Sequence, residues 1–189
     1  MTTTPTTPTK PELLAALRDG AADALARLRA LPPAEFERGR YESGWNGRQI
    51  LAHIASIEWT YPKLIDVAKE VAPPGASVGA GLDPPSTPQA PAPKSQAPGP
   101  PTRIAQGGIL SYNDRQVAKR ADASVAELLA EFEQNRAATI AAVEGVDEAL
   151  LAKEIRSAGG ITGPLAGVIN AVAVLHVQAH VNDIVGTSS

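Results

Sequence analysis

The last long apolar stretch, Gly163 to Gly186, constrains this chain most. Leu165, Ile169, Val172, His176, His180 and Asp183 recur in it at spacings of four, three, four, four and three, the period of one helix face. Gly163-Pro164 sets the start of this helix and Gly186 its end. Two histidines four apart, His176 and His180, project from one face a turn apart. The chain has three histidines, and the third, His53, falls on the apolar face of another predicted helix.

Three earlier segments carry the same period. Thr9 caps the first helix, with Glu12 as reciprocal partner and Pro11 tolerated in the first turn. Leu13, Leu14, Leu17, Ala21, Leu25 and Leu28 form its stripe, and Pro32-Pro33 stop it near Leu31. Asn46 caps the second, with Gln49 at its third position and Trp45 stapled onto Ile50. Its stripe is Ile50, His53, Ile54, Ile57, Tyr61 and Leu64, and Pro62 should kink or split it after Tyr61. Glu58, five residues after His53, is assigned to the surface. Some helical pattern runs from Ile104 to Arg120, with Asn113, Asp114 and Arg115 read as a solvated turn. Ser124 and Glu127 then form a capping box for a clear helix striped by Val125, Leu128, Leu129, Phe132, Ile140 and Val143, which Gly145 ends. Asp147 to Ile155 has room for a short helix.

Residues 72–103 differ in composition: Pro, Ala, Gly and Ser dominate. Such a segment buries too little to offset its ordering entropy, and predicts a long flexible connection between helices two and three. The expected fold is all-α: a four-helix bundle spanning 10–186, up-down-down-up, with 72–103 as a Pro-rich insertion and 1–9 as a disordered tail. Aromatics make up 4% of the residues, so the core must come from Ala, Leu, Val and Ile, which suits close-packed helices.

The formal net charge is −3, which gives no electrostatic footprint for nucleic acid. No uninterrupted run of 18 apolar residues predicts a membrane span, and the Thr/Pro-rich start lacks a signal pattern. The expected location is the cytoplasm. Cysteine is absent, so any metal must be held by imidazole and carboxylate, and any thiol must arrive from outside.

Three imidazoles converging inside a bundle would form a cup for a divalent metal, with positions left open for water or substrate. The competing reading is three ordinary half-buried histidines bonded to backbone. Asp183 is the candidate catalytic carboxylate: a hydrogen-bond acceptor that orients an imidazole, a fourth ligand, or a general base. The residues between His176 and His180 are Val177, Gln178 and Ala179. The glutamate base of His-Glu-x-x-His zinc proteases is missing.

Trp45-Asn46-Gly47-Arg48-Gln49-Ile50-Leu51-Ala52-His53-Ile54 and Leu175-His176-Val177-Gln178-Ala179-His180-Val181-Asn182-Asp183-Ile184 carry a resemblance, with Tyr112-Asn113-Asp114 and Ser124 to Leu129 between them. The chain resembles the DinB/YfiT-like family of small metal-binding bundles. The resemblance implies an up-down-down-up four-helix bundle whose ligand positions match His53, His176 and His180. It implies zinc foremost, with nickel or iron as alternatives. Some relatives are transferases or isomerases that use mycothiol, bacillithiol or glutathione. The expected function is therefore metal-dependent activation of an external thiol toward a small-molecule substrate. The alternatives are a metal–water hydrolase and a non-catalytic metal-binding stress-response bundle, and a homodimer through a helix face is compatible with all three.

Overall fold

The computed structural model describes residues 7–41, 44–70 and 108–186. The expected tail up to residue 6 and the Pro-rich segment 72–103 lie outside the described residues. The described chain is mostly helical. Its long elements are α1 (Lys10–Arg29), α3 (Gly47–Glu58), α6 (Val125–Glu144) and a C-terminal helix. That last helix begins as α8 (Leu165–Ile169), passes through a π-helical turn (Asn170–Leu175) and continues as α9 (His176–Val185). α1, α3, α6 and α9 pack on one another, and α5 (Gly108–Ala118) lies against α3. Short α2 (Pro33–Phe36), α4 (Pro62–Glu70) and α7 (Glu148–Leu151) fill the connections.

The caps form as the sequence requires. Glu12 accepts from both the backbone and the hydroxyl of Thr9, at 2.8 and 2.7 Å. Asn46 and Gln49 exchange bonds at 2.9 Å, which fixes where α3 begins and commits Gln49 to the cap. Ser124 and Glu127 do the same for α6. Pro62 splits the second helical segment: α3 ends at Glu58 and α4 starts on Pro62, where a missing N–H costs nothing. Gly186 stops α9 in the left-handed conformation, φ 79°, where Gly carries no Cβ penalty.

The core has two apolar clusters. One gathers Leu25, Leu28, Phe36, Ile50, Ile54, Leu128, Phe132, Val177, Val181 and Ile184. The other gathers Leu13, Leu17, Tyr61, Ile65, Val143, Leu151, Ile155, Leu165 and Ile169. Between them along α3 and α6 lies a buried ion pair, Glu58 with Arg136. Glu58 is fully buried, not a surface residue as its spacing from His53 suggested. Counted from Ile54 and Tyr61 instead, it stands on the apolar stripe.

Two further features depart from the sequence expectation. A short antiparallel hairpin, β1 (Glu154–Arg156) with β2 (Thr162–Pro164), follows α7 and buries Ile155. The buried stripe of the last helix runs Leu165, Ile169, Ala173, Val177, Val181 and Ile184. It is not the predicted line through Val172, His176, His180 and Asp183, which are all half-buried. The π turn adds one residue and shifts the face that follows. Burying Val177, Val181 and Ile184 is worth about 1.5–3 kcal/mol each, so the core dictates this phase. By length and composition Leu165–Val185 could also cross a membrane. Here it packs on α1 and α3.

Candidate metal centre

α3 delivers His53 and α9 delivers His176 and His180. Each ring offers a nitrogen to one region, with the three candidate ligand atoms within 4.8 Å of one another. Nε2 of His53 lies 3.3 Å from Nε2 of His176. Two nitrogens bound to a tetrahedral zinc at its usual bond length stand about 3.3 Å apart, so this pair already has the required spacing. The ring centroids are separated by 4.4 Å for His176 and His180 and by 5.1 Å for His53 and His180. Trp45 packs against His53, ring centroids 5.3 Å apart.

The imidazoles are neutral. Burial pushes His53 down to about 3, with further lowering from His180 and His176. Burial likewise lowers His176 to about 4, the effect of His180 adding to it and that of Asp183 opposing it. Burial also lowers His180, against the hydrogen bond and charge of Asp183. Neutral rings keep the lone pairs that a metal requires.

His180 is held from behind. The hydroxyl of Tyr41 lies 2.7 Å from its Nδ1, and Oδ2 of Asp183 lies 3.2 Å from the same atom. Tyr41 also donates to Oδ2 of Asp183. A carboxylate only accepts, so the tyrosine proton goes to Asp183 and Nδ1–H of His180 donates to the tyrosine oxygen. This assigns the tautomer by hydrogen-bond logic. The lone pair of His180 is then on Nε2, a buried atom with no hydrogen-bond partner. Nδ1 of His53 is likewise buried and without one. Buried polar atoms without partners are costly, and a shared metal would relieve that cost at Nε2 of His180. The donor set fits a divalent ion.

The structure brings His53, His176 and His180 together, with Asp183 beside His180. Tyr61 does not reach them: its hydroxyl donates to the Val172 carbonyl at 2.7 Å. Asn113, Asp114 and Arg115 sit within α5, not in a turn; Asn113 is half-buried and the other two are exposed. Tyr41 is the site residue that periodicity does not reveal. It lies in the connection before α3, where the backbone bonds of Arg40 and Tyr41 to the Trp45 carbonyl, at 2.9 and 3.4 Å, hold it.

This geometry can be set beside known proteins. The chain aligns with the crystal structure of the mycothiol-dependent maleylpyruvate isomerase at a TM-score of 0.63 and 18% identity, over 93% of this chain and 60% of that one. The fold is similar to that of this isomerase. A mutant of the same enzyme, with one histidine replaced by alanine, aligns at a TM-score of 0.59 and 18% identity, over 89% of this chain and 59% of that one. The chain thus spans about 60% of the length of these structures. No family model matches the sequence. No curated protein matches it either. At this identity the likeness speaks for the fold, and it agrees with the resemblance to DinB-like bundles drawn from the residues.

Proposed function

We propose that the chain is a divalent-metal-binding enzyme that activates an external low-molecular-weight thiol, such as mycothiol or bacillithiol, for transfer or isomerisation of a small substrate. The observation that carries this reading is the convergence of three neutral imidazoles, one of them locked by Tyr41 and Asp183 in the metal-ligating tautomer. The likeness to a mycothiol-dependent isomerase supports it at the level of fold. The reading keeps the up-down-down-up arrangement, which the mutual packing of α1, α3, α6 and α9 supports.

His53, His176 and His180 would hold the metal, with zinc foremost and nickel or iron as alternatives. A bound divalent ion would lower the pKa of a thiol and keep it as thiolate at neutral pH. The chain's own groups do the rest. Tyr41 and Asp183 orient His180. Asp183, whose side chain is 38% exposed, is the carboxylate beside the cluster placed to take up the proton that the thiol loses. The absence of cysteine keeps any internal thiol from competing for the site.

Elemental analysis of untagged protein, beside a His176→Ala/His180→Ala variant, tests the site. About one metal per chain, lost in the variant, is the expected result. Thiol consumption by the loaded protein with electrophilic substrates then tests the chemistry. Turnover that needs metal but no thiol would replace this reading with hydrolysis by bound water.

A further inference from the structure

The helix that carries two of the three histidines is interrupted immediately before them. Asn170–Leu175 is a π-helical turn, and His176 is the next residue. One residue more than an α-helix needs turns the following face by about 100° and frees backbone carbonyls from their usual partners. A continuous α-helix would align His176, His180 and Asp183 with Leu165 and Ile169. After the π turn, Val177, Val181 and Ile184 hold that line, and the histidines stand beside it, facing His53.

Two buried side chains, Tyr61 from the turn between α3 and α4 and Arg136 from α6, grip carbonyls of this π turn. The Tyr61 hydroxyl donates to the Val172 carbonyl at 2.7 Å. Nη2 of Arg136 donates to the Ala173 carbonyl at 2.5 Å. Arg136 is seated in turn by both oxygens of Glu58, at 2.7 and 2.9 Å, and by the Leu17 carbonyl at 3.2 Å. Arg136 is 2% exposed and Glu58 is 0% exposed. A buried ion pair holds helices together no better than apolar side chains of the same volume. Its aim at a carbonyl of the π turn gives it a more specific purpose.

We propose that Tyr61 and Arg136, the latter seated by Glu58, are positioning residues for the histidine cluster: by holding the Val172 and Ala173 carbonyls they fix the rotation of His176 and His180 toward His53. This rests on the metal-site reading above. Neither residue is a ligand or touches the reacting atoms in this role. Both act through the backbone of the turn.

The test compares wild type with Tyr61→Phe and with a Glu58→Leu/Arg136→Met double variant. Zinc affinity is measured by competition with a chromophoric chelator. The cobalt(II) absorption spectrum reports ligand geometry, and circular dichroism with thermal melting reports the fold. Leu151→Ala, a core truncation in α7, controls for a general loss of stability. The expected result is zinc binding weaker by about threefold or more in Tyr61→Phe and by about 10- to 100-fold in the double variant. The cobalt bands shift in both, while helical content at the assay temperature stays that of wild type and Leu151→Ala keeps wild-type affinity. Folded variants with wild-type affinity and an unchanged cobalt spectrum would overturn the proposal. So would a control that loses as much affinity as they do. If the double variant does not fold, Tyr61→Phe decides alone. Wild-type protein that binds neither zinc nor cobalt would overturn the metal reading and this proposal together; equal binding by wild type and variants would overturn only the latter.

Discussion

The hydroxyl of Tyr41 lies between Nδ1 of His180 and Oδ2 of Asp183, accepting from the first at 2.7 Å and donating to the second. Burial raises the tyrosine well above its ordinary value, and the hydrogen bond and charge of Asp183 add to this. Tyr41 therefore keeps its proton at neutral pH, and that proton points at Asp183. The histidine is left with one arrangement, Nδ1 protonated and Nε2 free.

Removing that hydroxyl should weaken the site without unfolding the protein. Tyr41 is half-buried, so Tyr41→Phe keeps its packing and loses the relay. Groups that orient a metal-bound histidine are commonly worth 10- to 100-fold in affinity, and about tenfold is expected here. Asp183→Asn should show a loss of the same order. Competition with a chelator measures both. Affinity unchanged in Tyr41→Phe would mean that the direct bond from Nδ1 of His180 to Asp183, at 3.2 Å, orients the ring without the tyrosine.

The Glu58–Arg136 pair makes a different prediction, about stability. Arg136→Met leaves a buried carboxylate alone, which costs about 3–5 kcal/mol. For a domain of this size that corresponds to a fall in Tm of about 10 °C. The Glu58→Leu/Arg136→Met double variant should recover most of it, because two apolar side chains need no partner. Thermal melting of the three proteins decides. A double variant less stable than Arg136→Met would show that the apolar pair cannot fill the space.

How far the sequence reaches can be seen at particular residues. His53 was legible because the capping box at Asn46 fixes where α3 starts and the helical period fixes its face. The pairing of His180 with His176 was legible because residues four apart lie one turn above each other on a helix. Glu58 carried a readable signal, a charge in line with Ile54 and Tyr61, and Arg136 carried its counterpart beside Phe132. Reading Glu58 from His53 hid it. The π turn was not legible, since projection at 3.6 residues per turn assumes a constant period and one inserted residue rotates all that follows. That is why Val177, Val181 and Ile184 displaced the histidines from the buried line. Tyr41 lies in a connection, where no period exists, and its role depends on the turn that brings it to α9. The hairpin strands are three residues each, too short for alternation to show.

Gly47 at the start of α3 predicts a packing defect. A Cβ there would lie 3.1 Å from the Phe36 Cα and 3.2 Å from the Glu35 carbonyl oxygen. Both are backbone atoms of α2 and can yield only if α2 moves. Gly47→Ala gains helix propensity yet should destabilise, by about 1–3 kcal/mol, the usual cost of overpacking. Because α2 packs on α3 and α9, the metal-free protein should show the change as a lower melting temperature. A higher Tm would mean that α2 shifts without cost and that propensity dominates.

Finally, the buried histidines make stability depend on pH in a defined window. Their folded values lie below the ordinary 6.5, at about 3 for His53 and about 4 for His176. Between those values and 6.5 the unfolded chain binds protons that the folded chain refuses. Unfolding then takes up protons, so stability rises with pH across this window and levels off above it. The metal-free protein should lose stability as pH falls from about 6.5 toward 4, by up to about 1.4 kcal/mol per pH unit for each histidine involved. Denaturant midpoints from pH 7.5 to 4.5 measure the slope, and His53→Gln should flatten it by roughly one proton. Bound metal should steepen the loss, because acid must displace the ion before it protonates the rings. A wild-type slope equal to that of His53→Gln would mean that His53 is protonated as readily in the folded chain as in the unfolded one, and the neutral cluster on which the metal reading depends would be gone.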